Sequence, residues 1–214
     1  FGYVGGTEGV FFKEHAGTHT FKKLILANGY YRTWMSSNDQ TAYIKGTVEV
    51  TSPATTPFRI YSTHNSGPGH YITDFSAAIS GAEGTGLHIG VHPNATKTEA
   101  CTPTVIFSGD NSAYLGNLKV TEVGTTFAAT TAQSLGGALA AMKYDALILS
   151  DNATFDSRMA DGTLAASLNR GLAVAASGGR IKVASGFVPI ETVADNETFG
   201  DAQSDIVGAG ILIS

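Results

Sequence analysis

The sequence predicts an all-β protein: short antiparallel strands in sandwich- or fibre-like β domains, completed by homo-oligomerisation, with at most one short helix near residues 131–143. Three observations carry this prediction. The 26 glycines arrive singly or in pairs between short runs rich in β-branched and aromatic residues, which is the punctuation of turns between strands. Several of those runs alternate apolar and polar residues with a period of two. The chain is 43% hydrophobic, enough for a packed core, yet only 14% charged, against roughly 25% in ordinary soluble chains. A charge deficit of that size points to surface consumed by other subunits, because interface cores are poor in Lys, Glu and Asp. It also suits an extracellular setting in which Thr, Ser, Asn and Gly solvate the surface.

Taken in order, the strand candidates are 42–51 (AYIKGTVEVT), 58–62 (FRIYS), 86–91 (GLHIGV), 104–107 (TVIF) and 113–123 (AYLGNLKVTEV). They continue with 144–149 (YDALIL), 172–175 (LAVA), 181–188 (IKVASGFV) and 206–213 (IVGAGILI). One segment has helical spacing: in 131–143 (TAQSLGGALAAMK), Leu135, Leu139 and Met142 share a face. Gly136 and Gly137 oppose it, each costing about 1 kcal/mol against Ala in a helix interior. The texture changes there, from Tyr, Phe, Thr and His to Ala, Gly, Leu and Asp. The expected organisation is a β-rich N-terminal domain (1–125), a connector (126–143) and an Ala/Gly-rich β domain (144–214). An imperfect repeat joins 37–51 to 108–121: SNDQTAYI matches SGDNSAYL, and VEVT then matches LKVT after a one-residue deletion.

Composition narrows the function classes. A formal net charge of -5 with no basic run gives no footprint for a polyanion such as nucleic acid. No stretch approaches the roughly 20 apolar residues that span a bilayer. The opening residues resemble neither a signal nor a transit peptide, so either a leader has been removed or the chain is a piece of a longer one. A single cysteine, Cys101, excludes an intrachain disulfide and an all-cysteine zinc site.

The run SGDNSAYLGNLKVTEVGTT (108–126) resembles the sheet-rich shaft repeats of bacteriophage tail fibres and tailspikes, and 57–91 is similar in texture. The resemblance covers roughly residues 37–126. It implies a homotrimer in which three chains share one core and the tip binds host surface glycans or proteins, on the outside of the cell or virion.

Candidate sites follow from residue chemistry. His15 and His19 stand four apart and suit a metal only on a helix, which Gly17 opposes; solvated loop histidines are the stronger reading. His64, His70, His88 and His92 lie in a Gly- and Asn-rich stretch, and His88 and His92 share a strand face. Asp151–Asp156 and the loop at Asp195 offer oxygen ligands for calcium without the spacing of a calcium cage, so turn-forming Asx residues are the plainer account and no cofactor is expected. Sequons place glycan acceptors at Asn94, Asn152 and Asn196 if the source is a secretory eukaryote. No nucleophile elbow, P-loop or dinucleotide fingerprint is present, and no two carboxylates are brought together by the sequence. Tyr30, Tyr31 and Trp34 are the candidate ligand-binding residues, since exposed aromatic rings stack on sugars and anchor interfaces. A buried strand is the competing account of that cluster.

The expected function is therefore a non-enzymatic, extracellular structural and adhesion protein, a subunit of a phage fibre or spike. The alternatives are a self-assembling coat, capsid-decoration or filament subunit, and a secreted carbohydrate-active enzyme on a β scaffold.

Overall fold

The computed structural model describes residues 10–13, 16–34, 40–63, 69–91, 101–159 and 168–183. Its strands run in chain order as β1 (Val10–Lys13), β2 (Gly17–Leu26), β3 (Tyr30–Trp34), β4 (Gln40–Val50), β5 (Phe58–Thr63) and β6 (Gly69–Phe75). Then come β7 (Ala78–Gly81), β8 (Gly86–Gly90), β9 (Cys101–Phe107), β10 (Ala113–Tyr114) and β11 (Asn117–Val120). The last are β12 (Thr126–Ala129), β13 (Lys143–Leu149), β14 (Ala153–Ser157), β15 (Arg170–Val174) and β16 (Gly179–Val183).

Two sheets form. The first has the order β1-β3-β5-β8-β11-β13-β15; the second runs β10-β7-β4-β6-β9-β12-β14-β16, with β2 also paired to β4. Every strand pair is parallel. The chain passes back and forth between the sheets, with β6 and β7, and β9 and β10, following one another on the second, so each strand finds its partner one full coil away, roughly 30 residues along, and the fold is a β-solenoid.

This overturns the expected antiparallel sandwich. Period-two alternation is the same in parallel and antiparallel ladders, so it cannot tell them apart. An antiparallel sandwich needs its Gly- and Asx-rich stretches to be hairpins that return the chain beside itself. Here they are corners that carry it across to the opposite sheet. Asp151 and Asn152, both with positive φ (55° and 60°), make such a corner between β13 and β14.

The reason for coiling lies in the inward residues. On the first sheet, Phe58, Leu87, Leu118, Leu147 and Leu172 stand in register in one row, and Ile60, Ile89, Val120, Leu149 and Val174 in the next. Facing them from the second sheet is an aromatic stack. Phe75 meets Phe107 at 5.8 Å, Phe107 meets Phe127 at 5.0 Å and Phe127 lies on Phe155 at 5.7 Å between ring centroids. One coil alone would leave these faces wet; each further coil buries side chains worth about 1.5–3 kcal/mol apiece. One cluster of buried residues runs from Leu26 to Leu172, so the apolar rows close on one another within a single chain.

The predicted helix at 131–143 is reduced to one 3-10 turn, Gln133–Leu135, closed by the Ser134 amide donating to Thr131 Oγ1 at 3.1 Å. Beyond it the chain runs extended, because the Gly137 amide donates to the Tyr114 carbonyl at 2.9 Å and a Cβ on Gly137 would overlap the Ser112 carbonyl oxygen. Close backbone approach defeats the helical spacing: Leu139 is buried but Met142 is exposed. Arg170 locks this corner. Its guanidinium donates to the carbonyls of Gly137, Gly116 and Tyr114 at 2.8, 2.9 and 2.5 Å, and burial pushes its pKa down.

Most strand candidates recur as β4, β5, β8, β9, β13 and β15, and 181–183 forms the end of β16, whereas 184–188 and 206–213 lie outside the described residues. Residues 113–123 split into β10 and β11 at a corner where the Leu115 amide donates to the Gly81 carbonyl at 2.7 Å. The two copies of the sequence repeat occupy different positions in the coil. Tyr43 is exposed on the second sheet while its counterpart Tyr114 is buried, and Val48–Val50 and Leu118–Val120 belong to opposite sheets.

Candidate ligand-binding face

Between the two inward rows of the first sheet the intervening residue must point outward. That places Arg59, His88, Lys119, Ile148 and Ala173 in one external row, with Tyr30 beside Arg59 on the neighbouring coil. Successive members are about 4.8 Å apart, the spacing of hydrogen-bonded strands. Arg59 and Lys119 are exposed; Tyr30 and His88 are half-buried.

A second outward row, two residues along the strands, holds Arg32, Tyr61 and Gly90. The Tyr30 and Tyr61 rings meet at 5.5 Å with a 52° tilt. Burial raises the Tyr61 phenol, and a hydrogen bond with the Arg59 side chain opposes the shift. Burial likewise lowers the Arg32 guanidinium, with Tyr30 opposing. Further along, His88 Nε2 and Thr121 Oγ1 are 2.7 Å apart, and Glu122 Oε2 accepts from the Val91 amide at 2.5 Å. Gly90 leaves room for both: a Cβ there would sit 3.0 Å from Thr121 Oγ1 and 3.3 Å from Glu122 Oε2. Arg32 and Tyr61 are buried, so the first row is the accessible one: two exposed cations, Arg59 and Lys119, on either side of the half-buried His88, with the half-buried Tyr30 ring at one end, suited to a negatively charged ligand.

The outward row of the second sheet is different in kind. It reads Tyr43, Asp74, Ile106, Ala128, Asp156 and Lys182. Ser108 Oγ donates to Asp74 at 2.5 Å, and Asp156 is held by Arg158 at 3.0 Å and Lys182 at 3.5 Å. Both carboxylates are bonded internally, and Ala128 and Asp156 are buried.

Of the predicted aromatic site, Tyr30 lies on the cationic face. Tyr31 points the other way, into the core, where its ring meets Phe75 at 5.7 Å and burial drives its phenol far above its ordinary range. Trp34 ends β3, and its side chain lies outside the described residues. Asn152 sits on the exposed β13–β14 corner, where its amide donates to the Gly178 carbonyl at 3.0 Å and the Asp151 amide to Ser177 Oγ at 2.9 Å. His70 Nε2 lies 3.2 Å from Thr104 Oγ1 on the second sheet, and His19, in β2, stands in register with Ile44 of β4. His15, His64, His92, Asn94, Asp195 and Asn196 fall outside the described residues, as does the Cys101 side chain. Among the described residues, no three His, Cys, Asp or Glu side chains gather to hold a metal ion, and no helix is long and apolar enough to cross a membrane.

Arg32, Arg59, Tyr61 and Lys119 were not singled out in the sequence. For Arg59 and Lys119 the signal was the triplet apolar-x-apolar recurring as FRI, LHI, LKV, LIL and LAV at intervals of roughly 30 residues, a pattern that does not include Arg32 or Tyr61. Its middle letter reads out the external row. Comparison with protein-family models, with curated proteins and with solved structures finds no match for this chain.

Proposed function

We propose that this chain is a structural and adhesion segment of an extracellular or virion-surface fibre, a rigid shaft whose outward face meets a glycan or protein on a host surface. The supporting observation is the set of in-register inward rows running from Phe58 to Leu172, which makes the molecule quasi-one-dimensional and repeats the same outward geometry on each coil. In this reading the coil supplies stiffness and spacing, and the first sheet supplies the contact surface. Exposed Ile25, Tyr43 and Tyr144 favour lateral association with further copies, expected as a homotrimer.

Light scattering on the eluting purified protein, with electron microscopy of the same sample, tests the assembly. A discrete trimer of elongated particles is expected; an open polymer would favour a filament or coat subunit, and a monomer that degrades polysaccharide would favour the enzyme reading. A glycan array with the same preparation tests adhesion.

A further inference from the structure

We propose that the Arg59–His88–Lys119 row binds a linear, carboxylate-bearing polysaccharide laid along the solenoid axis. This names the ligand class for the adhesion face and rests on that reading. In a chain of formal net charge -5, three basic side chains occupy three consecutive coils of one row. Among the described residues, neither Arg59 nor Lys119 forms an ion pair with a carboxylate, whereas Asp156 on the second sheet is paired with Arg158 and Lys182. Arg59 and Lys119 are also exposed, so their charge is presented outward at no desolvation cost in the free protein.

The spacing selects the ligand's shape. A coil rise of about 4.8 Å is close to the length of one sugar ring in an extended chain. Acidic sugars two residues apart along the ligand therefore meet Arg59 and Lys119, with His88 on the coil between them, and a carboxylate suits the planar fork of Arg59. Tyr30, at one end of the row and tilted against Tyr61, offers a ring face for stacking on a sugar. At the other end the row turns apolar at Ile148 and Ala173, which limits the basic strip to three coils. So short a strip also disfavours nucleic acid, whose binding grows with the number of phosphates neutralised.

Calorimetry on the full chain tests this with three probes: an oligogalacturonate hexamer, a neutral maltohexaose and a thymidine oligonucleotide. The acidic hexamer is expected to bind, to weaken with added salt, and to lose about ten-fold or more in affinity in R59A/K119A. K45A, on the other outward face, is expected to bind as the parent does, and circular dichroism checks that all variants fold. Equal binding of maltohexaose, tighter binding of the oligonucleotide, or unchanged affinity of a folded R59A/K119A would each overturn the proposal. The glycan array separates it from the adhesion reading: an array positive only for neutral glycans retains adhesion and removes the acidic ligand. Hexamer binding without attachment to any arrayed surface glycan does the reverse.

Discussion

The two outward faces of the coil share one backbone geometry and use their charges in opposite ways. On the second sheet, carboxylates are drawn in and bonded within the fold: Asp74 takes the Ser108 hydroxyl, and Asp156 takes Arg158 and Lys182. On the first, Arg59 and Lys119 stand in solvent with no carboxylate partner among the described residues. Carboxylates that serve the fold are drawn in and bonded internally, and Arg59 and Lys119, available to a ligand, are exposed. The contrast teaches where to look for function in a molecule whose core is the same on every coil.

Four substitutions sharpen or break that contrast. The shared core sets the scale: Phe107→Ala removes a ring that touches Phe75 and Phe127, and should cost about 3–5 kcal/mol in urea denaturation. Next is Asp156→Ala, which takes away a buried carboxylate and leaves two partly exposed cations. A loss of about 1–3 kcal/mol is expected by the same measurement. If it costs nothing, the second face is not the structural one.

Asp74→Asn is smaller and has a sign that can be worked out. Burial holds the Asp74 carboxyl above its ordinary value, while the bond from Ser108 and the charges of Arg158 and Lys45 only partly oppose it. The folded chain therefore binds that proton more readily than the unfolded chain does. Stability from this group rises as pH falls through the raised value and is lost as pH rises. The asparagine variant should flatten that slope and stabilise the protein at neutral pH by less than about 1 kcal/mol, as urea midpoints across acidic to neutral pH would reveal. Smallest is Lys119→Ala, expected to change stability by no more than about 0.5 kcal/mol, since nothing in the described structure depends on that ammonium. A larger loss in thermal denaturation would make the first face structural too.

How much of this was readable beforehand varies with the residue. Strand content was legible because alternation in segments such as β4 and β8 reports one dry and one wet face. Strand direction was not, since direction depends on where the partner lies, and the partner of Ile60 is Ile89, a full coil away. The 131–143 segment had helical spacing at Leu135, Leu139 and Met142, but the approach of Gly137 to Tyr114 and Ser112 is a tertiary fact. Tyr31 and Tyr30 look alike in sequence, and only the register sends one into the core and the other to the surface. The outward cations were legible in principle, as the middle letters of FRI, LHI and LKV, once the coil period was known.

The triple clasp of Arg170 has a consequence for how the molecule comes apart. Its carbonyl partners Tyr114 and Gly116 lie 56 and 54 residues earlier in the chain, so the clasp ties together stretches that neighbour-to-neighbour stacking alone would let separate one after another. Fraying that begins beyond β15 should stall at this arginine. Unwinding past it requires three carbonyls to be surrendered together, so the shaft should yield there in a single cooperative step.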